Sequence, residues 1–127
     1  MHEQDLAIVK GLVSAAWADG VFAEREREML DALLEAYGAT AEERTTLEGY
    51  AAQKRTLEDI DPQELSASDR RVLLQHAVLL AFADGSLSPE ESTMLDALAV
   101  KLRIPEAEAK ALIEAGTARA KASLKLL

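Results

Sequence analysis

The chain has 127 residues, of which 14 are basic and 23 acidic, and its formal net charge is -9. A negative charge of this size repels phosphate backbones, which argues against nucleic-acid binding and favours cations or basic partners. The chain contains no cysteine, so it has no disulfide framework, thiolate zinc site or thiol nucleophile. Alanine and leucine, with 24 and 20 copies, far outnumber valine and isoleucine with 10 together, which predicts helices rather than sheet.

The first predicted element is an amphipathic helix, with apolar residues three and four positions apart from Leu6 to Trp17. The segment 1–10 carries His, Glu and Asp and lacks the basic start and apolar centre of a signal peptide, so we expect a cytoplasmic protein. An Asp-Gly turn follows, and a second helix begins near Glu24. Ala23 offers no capping hydroxyl there, which predicts a loose turn.

Two capping boxes mark later helix starts. Thr40 with Glu43 opens a helix predicted to reach about Leu57, and Ser88 with Glu91 opens one predicted to reach Leu102. Pro105 opens a last helix running toward Leu127, which Gly116 is expected to interrupt. Between the two halves, the acidic segment 58–68 contains a proline and predicts a connection with one short turn.

The two halves repeat each other. Shifting the sequence by 65 residues aligns 9–38 with 74–103, and 11 of the 30 pairs are identical. The repeat predicts an all-α fold, a compact helical bundle of two helix-turn-helix repeats with six to seven helices and pseudo-two-fold symmetry. We expect a single domain over 1–127, with repeat one at 3–57, the linker at 58–68 and repeat two at 69–127. No stretch is apolar enough to span a membrane, since Gln75 and His76 break the longest run.

Each repeat carries Asp-Gly followed by a glutamate six residues after the glycine, the spacing found in the second half of an EF-hand calcium loop. The positions of the first two ligands hold alanine, tryptophan, leucine and phenylalanine, which excludes a complete EF-hand. Two half-loops can still share a divalent ion, because such ions accept carboxylates from different helices. The candidate metal ligands are Asp19, Glu26, Asp84 and Glu91. The alternative is that these residues only cap the turns and the following helices.

Other residues have simpler interpretations. Trp17, Tyr37 and Phe82 occur at helical spacing typical of core aromatics, and His76 lacks a neighbouring histidine for metal binding or acid-base chemistry. Asp31 and Asp96 match between the repeats and are second-tier ligand candidates or solvent-exposed residues. The sequence has no Gly-rich phosphate loop and no nucleophile elbow, so we expect no enzymatic activity.

The final segment, 118–127, interleaves basic and apolar residues. It is expected either to pack on its own domain, with its cations favoured by the helix dipole, or to dock on a partner or an acidic membrane surface.

The two Ala-Asp-Gly motifs, Glu26 and Glu91, and the Met-Leu-x-Ala-Leu runs behind them resemble the TerB-like domains. These domains occur in bacterial tellurite-resistance proteins and at the N-terminus of a membrane-anchored DnaJ-type co-chaperone. The resemblance covers most of the chain. It implies an all-helical, pseudo-two-fold bundle with an acidic face that binds divalent cations, and it puts forward Asp19, Glu26, Asp84 and Glu91 as ligands. Ala23 departs from the family pattern in the first copy, so the two half-sites need not be equivalent.

Two hypotheses follow. The first is a non-catalytic protein that binds a divalent metal ion, calcium, magnesium or zinc, and is linked to stress or tellurite resistance. The second is a protein-interaction or adaptor module without a metal site, whose acidic surface binds a basic or membrane-associated partner.

Overall fold

A computed structural model describes residues 3–17, 24–81 and 88–125, and for 24–26 and 120–125 it describes the backbone alone. Within these ranges the chain is all-α, and every regular element is a helix. The six α-helices are α1 (Glu3–Trp17), α2 (Glu24–Ala36), α3 (Ala41–Ala51), α4 (Ala67–Ala81), α5 (Pro89–Lys101) and α6 (Glu106–Lys125). Two 3-10 turns, Leu57–Asp59 and Pro62–Glu64, lie between α3 and α4.

Helices α1 and α4 form the centre of the bundle. They pack against each other, α1 also contacts α2 and α3, and α4 also contacts α5 and α6. Their sequences are apolar on several faces, and Val9, Val13, Leu73, Leu74 and Val78 are fully buried. Burying each such side chain contributes about 1.5–3 kcal/mol, so the contact between α1 and α4 is the main source of the core's stability.

The two central helices run in the same direction. Ala16 and Ala81, in their last turns, line one cavity. At the opposite end, burial raises the pKa of Tyr37, and the nearby carboxylates of Asp5 and Asp69, in the first turns of α1 and α4, raise it further. Helices α1 and α4 therefore end on the same side of the bundle.

Helix starts match the sequence prediction closely. Thr40 and Ser88 are the N-caps of α3 and α5, and each has a complete capping box. Helix α2 begins at Glu24 and α5 at Pro89, 65 positions later, as the sequence offset predicts. Pseudo-two-fold symmetry stays a prediction. The expected looseness of the first Asp-Gly turn lies outside the described residues.

Two predicted helix boundaries are wrong. Helix α3 ends at Ala51 rather than near Leu57, because side chains bind the carbonyls of its last turn: Trp17 Nε1 donates to Ala51 O at 2.9 Å and Arg55 Nε donates to Tyr50 O at 3.0 Å. Helix α6 continues through Gly116 without interruption. This glycine is buried against α4, and a Cβ there would lie 2.9 Å from Val78 Cγ1, so it permits close helix packing rather than a break.

The segment 58–68 does more than connect the repeats. It contains two 3-10 turns instead of one, and Ile60, Pro62 and Leu65 are buried in the core. Arg70 stabilises the second turn, because its guanidinium donates hydrogen bonds to the carbonyls of Pro62 and Leu65.

Candidate cation site

The C-terminal ends of α1 and α4 meet the first turn of α5 at one end of the bundle. A small cavity of about 50 Å³ lies between them. Its walls are mostly small or apolar side chains, and one carboxylate joins them: Ala15, Ala16, Ala77, Leu80, Ala81, Met94 and Glu91. A cavity of this size has room for a few water molecules or a partly hydrated ion.

Glu91 is half-buried and faces this cavity. Its Oε1 accepts a hydrogen bond from Ser88 N at 3.1 Å, and its own N–H donates to Ser88 Oγ at 3.1 Å. The capping role predicted for Glu91 is therefore confirmed. Capping engages one carboxylate oxygen through a backbone amide, and a carboxylate has further lone pairs for a cation.

The structure describes the four predicted ligands to different extents. Glu26 lies in the first turn of α2, and its side chain is outside the described part of the chain. Asp19 and Asp84 also lie outside the described residues. Asp31 and Asp96, the second-tier candidates, are exposed on α2 and α5. In the ranges that the structure describes, no three His, Cys, Asp or Glu side chains form a group that could hold a metal ion.

The helix ends contribute to the electrostatic potential at the cavity. The C-terminus of an α-helix carries roughly half a negative charge, because its last carbonyls have no partner in the helix. Two such ends, those of α1 and α4, lie together beside the carboxylate of Glu91. The cavity is therefore an environment that favours a cation over an anion.

The aromatic residues have packing roles. Trp17 is half-buried and is tied to the end of α3 through its bond to Ala51 O. Tyr50 lies against two cations, with the Arg55 guanidinium 3.8 Å and the Lys10 ammonium 5.6 Å from its ring centroid. The fully buried Ser14 lies 3.4 Å from the Tyr50 hydroxyl. Phe82 lies outside the described residues.

His76 is half-buried in α4, and burial lowers its pKa. Its Nδ1 is buried and has no hydrogen-bond partner among the residues described. Burial of His76 therefore has an energetic cost, because a buried polar nitrogen without a partner loses its hydration.

Sequence reasoning did not identify the alanines that form the cavity. Ala16 and Ala81 are identical between the repeats, and this pairing is the sequence signal that could have located the meeting point of α1 and α4. Their small side chains let the two helix ends approach closely while leaving a space between them.

Neither the curated proteins nor the solved structures include a match to this chain. Along the described helices, none is long and apolar enough to cross a membrane. One family profile, described as tellurite resistance protein TerB, matches residues 5–114, which cover most of α1, all of α2 to α5 and part of α6. The chain therefore belongs to the TerB family.

Proposed function

We propose that this protein is a non-catalytic binder of a divalent cation, and that Asp19, Glu26, Asp84 and Glu91 supply the carboxylate ligands. The observation that carries the proposal is the cavity where the ends of α1 and α4 meet the half-buried Glu91. The proposed ion is calcium, magnesium or zinc, because all three accept carboxylate oxygens as ligands.

The length of the chain supports participation of both Asp-Gly motifs. Asp19 follows Ala16 by three residues, and Asp84 follows Ala81 by three. Three residues of chain span at most about 10 Å, a length compatible with the proposal that both aspartates contribute to one site.

Charge supports a cation in particular. The chain carries a net charge of -9, and two helix C-termini add their partial negative charges at the cavity. Carboxylates held close together repel one another, and a bound divalent ion relieves that repulsion. The family's description as a tellurite resistance protein supports the further proposal that cation binding by this chain serves tellurite resistance or a related stress response.

Thermal unfolding of the chelator-stripped protein, with and without added calcium, magnesium, manganese or zinc, tests the proposal. A ligand that binds the native state alone raises the melting temperature with concentration. We expect the shift to be lost in Glu26→Gln/Glu91→Gln and in Asp19→Asn/Asp84→Asn. Glutamine can still serve in a capping box, so the first double variant removes charge while keeping the cap.

A matched control comes from the other capping box. Glu43→Gln makes the same change in the Thr40 box of α3, and its cation-dependent shift should equal that of the wild type. A shift lost in Glu43→Gln as well would show that general surface charge, and not this site, binds the ion. Absence of a shift with every ion would overturn the proposal and leave the alternative, an interaction module that binds a basic or membrane-associated partner.

A further inference from the structure

The outer corner between α5 and α6 forms an open groove of about 710 Å³. Its floor is apolar and includes the buried Ala99, Ile104 and Ala109. Val100 lies at its rim and is 77% exposed, whereas Leu79, the other exposed large hydrophobic residue in the described ranges, is 36% exposed. The exposed Val100 and the apolar floor together form one contiguous apolar surface, the kind of feature that protein contacts use.

The charges around this groove cancel. Two acidic and two basic side chains line it, namely Asp96, Glu106, Arg103 and Lys110. Among the residues that the structure describes, none of these four forms an ion pair within 4.0 Å. The groove is therefore a neutral face with unpaired charges on a chain whose net charge is -9.

Comparison of the two repeats shows which residues of this face differ from their counterparts in the first copy. Asp96 has its equivalent in Asp31, but Val100 takes the place of Glu35 and Arg103 that of Gly38. Both Gly38 and Arg103 have a positive φ, 69° and 58° respectively. Glycine adopts this conformation without steric strain, whereas an arginine there is strained by its Cβ. The second repeat thus combines an exposed valine with an arginine in a strained conformation.

We propose that this face binds a second copy of the chain, with α5 packed antiparallel to α5 of that copy. Asp96 and Val100 lie about one turn apart on α5, Arg103 follows shortly after the end of that helix, and all three line the groove. In a two-fold arrangement centred on Val100, Asp96 of each copy lies opposite Arg103 of the other. The two valines meet in the middle, between two ion pairs.

Charge complementarity selects a second copy as the occupant. A two-fold interface brings the same surface of both molecules together, so the surface must complement itself. A face with opposite charges on either side of an apolar centre meets this requirement. Since two chains of net charge -9 repel each other elsewhere, a neutral face is where they approach at least cost. The cavity residue Glu91 lies in the first turn of α5, whereas Val100 and Arg103 lie at and just beyond its end, so the dimer does not depend on the cation site.

Sedimentation equilibrium of the full chain, from micromolar to millimolar concentration, tests the proposal. We expect a reversible dimer. Val100→Glu installs the residue of the first repeat at the centre of the interface and should weaken the dimer by about tenfold or more. Arg103→Gly removes the ion pairs and also the backbone strain, so it should weaken the dimer while its monomer unfolds at a higher temperature. Loss of dimer through misfolding is thereby excluded.

Mixing two charge-reversal variants gives the most specific readout. Asp96→Arg and Arg103→Glu should each be mainly monomeric, because each places like charges opposite one another. An equimolar mixture should form heterodimers, since each variant then meets opposite charges at both positions. Asp31→Arg makes the same charge change on α2 and should leave the dimer intact.

Three outcomes would overturn the proposal. They are a chain that stays monomeric at millimolar concentration, a dimer unaffected by Val100→Glu, and charge-reversal variants that fail to associate when mixed.

Discussion

Arg103 shows how a single residue departs from its counterpart in the repeat. Helices α2 and α5 end in the same hydrogen-bond pattern: Ala39 N donates to Leu34 O, and Ile104 N donates to Ala99 O. This pattern is a Schellman motif, which requires a left-handed residue, and Gly38 supplies it in the first copy.

We predict that Arg103→Gly stabilises the monomer by about 0.5–1 kcal/mol, because glycine removes the left-handed strain but has more conformational freedom to lose on folding. Gly38→Ala should destabilise the protein by roughly 1 kcal/mol for the opposite reason. Denaturant unfolding at micromolar concentration measures both. Arg103→Ala is the control: it removes the side chain and keeps the strain, so a gain equal to that of glycine would contradict the explanation.

His76 should make the free energy of unfolding depend on pH. Its pKa is lowered in the folded state by burial, so the unfolded chain binds a proton more readily. Stability from the neutral histidine is therefore present above the unfolded pKa of about 6.5 and is lost progressively as pH falls through and below that value. As pH falls from about 7.5 to 5.5, the free energy of unfolding of His76→Gln should decrease by less than that of the wild type. An NMR titration that places the His76 pKa at or above its ordinary value would contradict this.

At the level of helices, glycines have opposite roles according to what lies beside them. Gly116 in α6 is buried against Val78 of α4, and a Cβ there would also lie 3.3 Å from Val78 Cβ. Gly49 in α3 is exposed, and a Cβ there would meet no atom within 4 Å. The same substitution should therefore change stability in opposite directions.

We predict that Gly116→Ala destabilises the protein by roughly 1 kcal/mol, because overpacking against the stiff Val78 outweighs the better helix propensity. Gly49→Ala should stabilise it by about 0.5–1 kcal/mol. Urea unfolding of Gly116→Ala, Val78→Ala and the double variant measures the coupling. The cost of Gly116→Ala should shrink when Val78 is shortened, and full additivity would show that this contact is not its source.

For the whole molecule, the proposed cation site depends on the parallel packing of α1 and α4. Both helices end at the cavity beside Glu91. If the cation binds there, an ion at one hundred times its Kd should add about 2.7 kcal/mol to the free energy of unfolding. For a domain of this size, that increment corresponds to a rise in melting temperature on the order of 10 °C.

The sequence by itself determined the fold class, most helix starts and the family, because apolar spacing and capping residues act within a few positions of one another. Ser88 with Glu91 and Thr40 with Glu43 are such local signals, and both predicted caps are confirmed. The end of α3 and the continuity of α6 could not be predicted in this way. They depend on Trp17, 34 residues before its acceptor Ala51, and on Val78, which belongs to another helix.

The same distinction between local signals and long-range contacts applies to the candidate site. Glu91 was identified from its spacing to Asp84, whereas the cavity that it faces exists only because α1 and α4 pack in parallel. Likewise, no local pattern in the sequence singles out Val100, and its exposure in the groove beside Arg103 is seen only in the folded chain. Local patterns determine helices, but the space between helices is decided by contacts between residues distant in the chain, and it is there that we propose the ion to bind.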